Sequence, residues 1–150
     1  MPLRFLLGEG EKSILDLCFS RLLPGQVALV GVRDLDKAEV NFIEEKNIIT
    51  LPVEQVRSGK VDLGFIKEKG FSNIYIHLDL DVLDPELFPH MLLPTPKGFD
   101  LEPLLGTLEM LWRKYNVAGY SIQEYLPRKG EGPEQLQELI DFGLRLSASS

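Results

Sequence analysis

The sequence predicts an α/β fold in which helices cover both faces of a mostly parallel sheet, a three-layer α/β/α arrangement. Short apolar runs alternate with longer amphipathic segments, giving one helix and then four strand–helix units. The first run, residues 27–32, is continuously apolar, as is typical of a parallel strand buried on both faces. Such alternation favours parallel strands joined by right-handed crossovers. We therefore expect a single domain over residues 1–150.

The N-terminal third is predicted to hold two helices, one on each side of this first strand. The earlier helix, at residues 13–23, carries an apolar stripe made of Ile14, Leu17, Cys18 and Leu22. Because Cys18 belongs to the stripe, we expect its thiol to be buried. The later helix is predicted to be capped by Asp34 and to end near Asn47.

Three more strands are expected at residues 48–51, 74–79 and 117–122, each bounded by helix or turn signals. A helix from about residue 62 stops at Gly70, and a longer one follows Asp100, its predicted cap. Between the third strand and that helix, residues 85–98 form a long proline-rich loop, the kind of segment where α/β proteins place their sites. A charged loop is predicted at residues 128–132. The last helix carries Leu136, Leu139, Ile140, Gly143 and Leu144.

The third strand is the one that suggests chemistry. Period-two alternation places its apolar side chains on one face and His77, Asp79 and Asp81 on the other. Carboxylate and imidazole groups suit a divalent cation such as Mn²⁺. A solvated strand edge that ends in the turn Asp84-Pro85 would show the same pattern, and the spacing alone leaves both interpretations open.

Composition excludes several classes of function. The 150 residues include 16 basic and 23 acidic side chains, for a net charge of −7, without a cluster of Lys and Arg. We therefore expect no nucleic-acid partner. No apolar run approaches the roughly 20 residues that span a bilayer, so we expect no membrane partner. A single cysteine allows no intrachain disulfide, which favours a cytoplasmic setting.

Residues 77–85 read His-Leu-Asp-Leu-Asp-Val-Leu-Asp-Pro. This run resembles Ser-Phe-Asp-x-Asp-x-x-Asp-Pro, the late signature of the ureohydrolase family of arginases, agmatinases and formimidoylglutamases. Three other segments are similar to family segments: residues 1–8, the Val-Gly-Val-Arg-Asp run at residues 30–34, and the last strand with its Glu and Pro at residues 119–127.

The resemblance implies a function and a site. The family hydrolyses C–N bonds of linear guanidino or amidine compounds with a hydroxide held between two manganese ions. By the match, Asp79 and Asp81 are metal ligands, and Glu124 pairs with the cationic guanidinium of the substrate through charge-assisted hydrogen bonds. Asp84 and Pro85 shape the turn. His77 stands where the family usually has Ser, and a packed polar residue is favoured there over a spare ligand.

The resemblance covers only the C-terminal half of the family's sequence, which implies a partial arginase-like fold lacking the N-terminal strands. The family's other ligands stand on Gly-Gly-Asp-His and Asp-Ala-His-x-Asp motifs, which this sequence does not contain, and its only histidines are His77 and His90. We therefore expect a weak or incomplete Mn²⁺ site and no activity from this chain alone.

Partners and substrate stay open at this point. Strands missing from the sheet would leave exposed strand edges that can pair with another chain. We therefore expect a homo-oligomer or completion by a separately encoded N-terminal half. The alternative is a non-catalytic remnant or interaction module completed by another chain. The family's Pro-Gly-Thr-Gly-Thr-Pro loop is replaced by Pro-His-Met-Leu-Leu-Pro at residues 89–94, which leaves the identity of any guanidino or amidine substrate undecided.

Overall fold

The computed structural model describes residues 2–58, 61–127 and 134–148. The chain divides into two compact units, Met1–Leu51 and Pro52–Ser150. Each unit combines helices with one pair of parallel strands, in agreement with the predicted α/β class and strand direction. The expectation of a single domain over residues 1–150 stays a prediction.

The first unit is built around the parallel pair of strands β1 (Ala28–Val30) and β2 (Ile49–Leu51). Ala28 lies opposite Ile49, and Val30 lies opposite Leu51. Phe42, Ile43 and Ile48 form the buried cluster of this unit. Its elements, in chain order, are α1 (Pro2–Leu6), α2 (Lys12–Leu15), a 3₁₀ turn (Pro24–Gln26), β1 (Ala28–Val30), α3 (Lys37–Lys46) and β2 (Ile49–Leu51).

Helix α3 begins two residues later than predicted. Asp36, not Asp34, is the N-cap: its carboxylate accepts a hydrogen bond from the Glu39 backbone N–H at 2.8 Å. The Glu39 carboxylate in turn accepts from the Asp36 N–H at 3.2 Å, which completes a capping box. At the other end, Asn47 adopts a left-handed conformation (φ 52°) and ends the helix where it was expected.

The helix predicted at residues 13–23 is wrong for most of its length. Only Lys12–Leu15 is helical, because Leu17 and Cys18 donate back three residues and tighten the chain into turns. Leu17 is 82% exposed and Phe19 is fully exposed. The expected burial of Cys18 is also wrong, since its thiol is exposed. Ile14 (48% exposed) and Leu22 (38% exposed), the other two apolar residues of the stripe, are partly covered.

The second unit is built around the parallel pair of strands β3 (Asn73–Asp79) and β4 (Asn116–Gln123). The strands pair from Asn73 opposite Asn116 to Asp79 opposite Gln123, with one irregularity after Ile74. The elements are α4 (Val53–Arg57), α5 (Phe65–Glu68), β3 (Asn73–Asp79), a 3₁₀ turn (Leu80–Val82), α6 (Leu101–Lys114), β4 (Asn116–Gln123) and α7 (Glu134–Ala148).

Helix α7 buries Leu136, Leu139 and Phe142, whereas Ile140 and Leu144 of the predicted stripe are largely exposed. The long loop after β3 packs well, with Phe88, His90 and Met91 buried. The loop predicted at residues 128–132 lies outside the described residues. Within the part of the chain that is described, none of the helices has the length and apolar character that a bilayer crossing requires.

Candidate metal centre at the end of β3

The carboxyl ends of β3 and β4 meet at one edge of the strand pair. Asp79 is the last residue of β3 and lies opposite Gln123, the last residue of β4. Paired strands run about 4.8 Å apart. Glu124 follows Gln123 directly, so the parallel pairing brings the predicted metal ligand Asp79 and the predicted substrate-binding Glu124 to the same edge.

Asp81 does not continue the alternating face of β3, contrary to the sequence prediction. The strand ends at Asp79, and Leu80–Val82 forms a 3₁₀ turn. The Asp79 carboxylate caps this turn by accepting a hydrogen bond from the Asp81 backbone N–H at 3.3 Å. Leu80 is completely buried between them. The side chains of Asp79 and Asp81 are both half-buried, and they belong to a strand end and a turn that the core holds through Leu80.

Glu124 has an unusual backbone. Its φ of 61° lies in the left-handed region, which costs a non-glycine residue about 1–2 kcal/mol. The residues on both sides are fixed: β4 ends at Gln123, and Tyr125 forms an antiparallel bridge with Met91. The Leu126 N–H donates to the His90 carbonyl at 3.1 Å. The surrounding structure therefore imposes this conformation on Glu124, whose side chain is exposed.

The turn that follows Asp81 is closed by Asp84. One oxygen of its carboxylate accepts from the Glu86 N–H at 3.0 Å, and the other lies 3.9 Å from the Arg57 guanidinium. The Asp84 N–H donates to the Phe99 carbonyl at 2.9 Å. Only 15% of the Asp84 side chain is exposed. Sequence reasoning recognised Asp84 as a turn residue but missed Arg57, which is 27 positions upstream and carries no motif.

The two histidines lie in different surroundings. His77 is exposed on β3, and its Nδ1 lies 3.2 Å from the hydroxyl of Ser121, its partner across the pair. The hydrogen bond fits the expected polar role of His77, whereas its expected packing is wrong, since the residue is exposed. His90 is buried in the long loop, with its ring edge-on to Phe88 and 6.2 Å from Tyr125.

The fit of manganese to this edge is partial. Asp79 and Asp81 offer the hard oxygen donors that Mn²⁺ prefers. Across the described ranges 2–58, 61–127 and 134–148, however, no group of three or more His, Cys, Asp or Glu side chains is arranged to hold a metal ion. The described residues therefore do not by themselves enclose a metal ion, and the role of Asp79 and Asp81 as metal ligands stays a prediction.

The sequence matches between this chain and known proteins point to the arginase family. The sequence model of the Arginase family matches residues 2–139. An arginase of Staphylococcus aureus is 30% identical over 135 residues, which are 85% of this chain and 44% of that protein. An N(1)-aminopropylagmatine ureohydrolase of Thermus thermophilus is 30% identical over 111 residues, which are 73% of this chain and 38% of that protein.

Comparison with solved structures leads to the same family as comparison of sequences. The Bacillus subtilis arginase superposes with a TM-score of 0.84 at 25% identity, covering 96% of this chain and 53% of that one. The Entamoeba histolytica arginase, solved with L-ornithine, superposes with a TM-score of 0.82 at 25% identity, covering 97% and 51%. The α/β fold class and its partial arginase-like character are thus confirmed. The chain spans about half the length of the relatives it matches, and it belongs to the arginase family.

Proposed function

We propose that this chain contributes Asp79 and Asp81 as ligands to a divalent-cation site, with Mn²⁺ as the cation, in a hydrolase of linear guanidino or amidine C–N bonds. The observation that carries the proposal is the parallel β3–β4 pairing, in which Asp79 lies opposite Gln123, the residue before Glu124. When bound, the metal supplies Lewis-acid and water-activating chemistry. Because the described ligand set is partial, we expect purified chain with Mn²⁺ to release no urea.

Glu124 is assigned to the substrate. A carboxylate can accept two parallel, charge-assisted hydrogen bonds from a planar guanidinium. The exposed Glu124 side chain is available for this contact, and the fixed neighbours Gln123 and Tyr125 hold its backbone at the strand end. A carboxylate on a held backbone at the same edge as Asp79 would bind a cationic substrate close to the proposed metal ligands.

The test compares thermal unfolding with and without Mn²⁺ for the wild type, Asp79→Asn and Asp81→Asn. A ligand that binds only the folded state raises the unfolding midpoint. We expect Mn²⁺ to raise the midpoint of the wild type and not of either variant. Asp141→Asn, which changes an exposed acid on α7 that accepts a hydrogen bond from the Gln137 side chain, is the matched control and should keep the wild-type response. An equal shift in all four proteins, or none in the wild type, contradicts the metal site.

A second candidate function is a non-catalytic interaction module. It is favoured by the exposed apolar side chains of Leu17, Phe19 and Leu23 in the first unit. Contiguous exposed apolar groups are typical of protein–protein contact sites. Because the relatives are about twice as long, we commit to one occupant: a polypeptide that supplies the remainder of the arginase fold.

Sedimentation velocity tests this second candidate. The probe is the part of the Staphylococcus aureus arginase that precedes its matched region, produced as a separate polypeptide. A complex with the wild-type chain that is lost in Leu17→Ser/Phe19→Ser, and kept in Leu144→Ser on α7, supports the module. A chain that sediments as a compact monomer in the presence of the probe contradicts it.

A further inference from the structure

We propose that Arg57 of α4 is a positioning residue that holds the 3₁₀ turn Leu80–Val82, which contains Asp81 and is capped by Asp79. The inference rests on the metal-binding role proposed above for that turn. It concerns a different property, namely what keeps the turn in place. Arg57 is not part of the motif at residues 77–85, and it reaches the turn only through the fold.

Arg57 makes two contacts with the chain beyond the turn. Its guanidinium donates a hydrogen bond to the backbone carbonyl of Gly98. The same nitrogen lies 3.9 Å from a carboxylate oxygen of Asp84. The Arg57 side chain is 40% exposed, whereas the Asp84 side chain is 15% exposed. The Arg57 guanidinium thus links two positions that are 14 residues apart in the sequence: Asp84, two residues after the 3₁₀ turn, and Gly98, at the end of the long loop.

These two segments are also joined through their backbones. The Phe99 N–H donates to the Val82 carbonyl at 2.8 Å, and the Asp84 N–H donates to the Phe99 carbonyl at 2.9 Å. Gly98 is packed so closely that an added Cβ would lie 2.3 Å from the Leu83 backbone and 2.5 Å from the Asp84 nitrogen. Glycine is therefore required at position 98 for this approach. Val82, which accepts from Phe99, is the last residue of the turn that contains Asp81.

The sign of the expected effect separates positioning from electrostatics. Arg57 carries a positive charge, so its removal by electrostatics alone would strengthen the binding of a divalent cation nearby. If Arg57 instead holds the ligands in place, its removal loosens the turn and weakens binding, as the loss of a residue that orients metal ligands does. If the Arg57 charge is removed and the affinity for Mn²⁺ falls, the change therefore cannot be explained by electrostatics alone.

The experiment uses Arg57→Gln and Arg57→Lys, with Arg113→Gln as the control. Arg113 is an exposed arginine on α6 that pairs with Glu109, so its loss is the same change of charge elsewhere. Amide hydrogen exchange is measured without metal at Asp84 and Phe99, relative to Ile76 within β3. The affinity for Mn²⁺ is measured by the electron paramagnetic resonance signal of the free ion.

In Arg57→Gln we expect about tenfold faster amide exchange at Asp84 and Phe99. This factor corresponds to the free energy contributed by one charge-assisted hydrogen bond. We also expect about tenfold weaker Mn²⁺ binding, as measured for residues that orient ligands. Arg57→Lys should retain part of the protection from exchange and part of the Mn²⁺ affinity. Arg113→Gln should match the wild type in both measurements.

Unchanged exchange in Arg57→Gln overturns the positioning role, and so does tighter Mn²⁺ binding. A wild type that binds no Mn²⁺ overturns the proposed metal site, and with it the functional part of this inference. In that case faster exchange in Arg57→Gln would still show that Arg57 holds the turn, so the two failures are distinguishable.

Discussion

The backbone of Asp79 lies opposite that of Gln123 at the common end of β3 and β4, so Glu124 is the first residue past the strand pair. Two residues that are 45 positions apart in the sequence, Asp79 and Glu124, thus share one edge because the strands are parallel and in this register. A shift of register by one residue would move each side chain to the opposite face. The candidate site therefore depends on the β3–β4 pairing as much as on the carboxylates themselves.

The left-handed conformation of Glu124 predicts a conflict between stability and function. We expect Glu124→Gly to raise the free energy of unfolding by about 1 kcal/mol, because glycine adopts a positive φ without strain. Glu124→Ala should bring no gain, since alanine meets the same strain. Urea denaturation measures both.

Lys97, an exposed residue outside the proposed site with a φ of 67°, supplies the control. Lys97→Gly should give a similar gain, whereas only Glu124→Gly and Glu124→Ala remove the carboxylate assigned to the substrate. A loss of stability in Glu124→Gly would show that the Glu124 side chain makes a stabilising contact that outweighs the strain.

The hydroxyl of Tyr120 predicts a stabilising substitution. It is buried and has no hydrogen-bond partner in the described part of the chain, where its ring packs edge-on against Phe142. An unsatisfied buried hydroxyl carries a desolvation penalty, so Tyr120→Phe should stabilise the protein by about 1 kcal/mol. Tyr115→Phe is the contrasting variant: its hydroxyl donates to the Leu63 carbonyl at 2.8 Å, and its removal should cost about 1 kcal/mol.

The same burial makes the stability depend on alkaline pH. Burial raises the pKa of Tyr120 from 10.0 to about 12. The folded state therefore holds the proton more firmly than the unfolded state, and this contribution is complete below pH 10 and is lost as the pH rises toward 12. Tyr120→Phe should lose less stability than the wild type across that interval. Parallel pH profiles of the two proteins would contradict the assignment.

Two helical glycines should respond in opposite directions to alanine. A Cβ at Gly106 of α6 would meet nothing within 4 Å, so Gly106→Ala should stabilise by about 1 kcal/mol through helix propensity. A Cβ at Gly143 of α7 would lie 2.7 Å from the Tyr120 ring. Gly143→Ala should therefore destabilise by about 1 kcal/mol, because the clash exceeds the gain in propensity. Chemical denaturation of both variants checks the difference, and a gain in Gly143→Ala would show that the Tyr120 ring moves freely.

Local signals predicted the fold best where a short pattern decides the structure. The β3 strand was expected at residues 74–79 and runs Asn73–Asp79, because its alternation and its terminal Asp residues are contiguous. The start of α3 could have been placed correctly as well. Asp36 and Glu39 form the Asp-x-x-Glu signature of a capping box, which is a stronger local signal for the start of the helix than Asp34 alone.

Tertiary context accounts for what the sequence could not supply. The apolar stripe around Leu17 predicts burial, yet burial requires packing against another part of the fold, and Leu17 is 82% exposed. Asp81 was expected on the same strand face as Asp79. The chain instead forms a 3₁₀ turn at Leu80–Val82, and the Leu80 side chain is completely buried in the core. Arg57 donates a hydrogen bond to Gly98, which is 41 positions away in the sequence, and no local sequence pattern predicts such a contact.

The most direct test of the central claim follows where Mn²⁺ binds. Paramagnetic broadening of backbone amide signals by substoichiometric Mn²⁺ identifies the residues nearest the ion. We expect the signals of Asp79, Leu80 and Asp81 to broaden first, with Glu124 following, and the effect to disappear in Asp79→Asn. Broadening that is spread over exposed acids such as Glu44 and Glu45, and that persists unchanged in Asp79→Asn, would contradict the claim that the end of β3 is a metal-binding site.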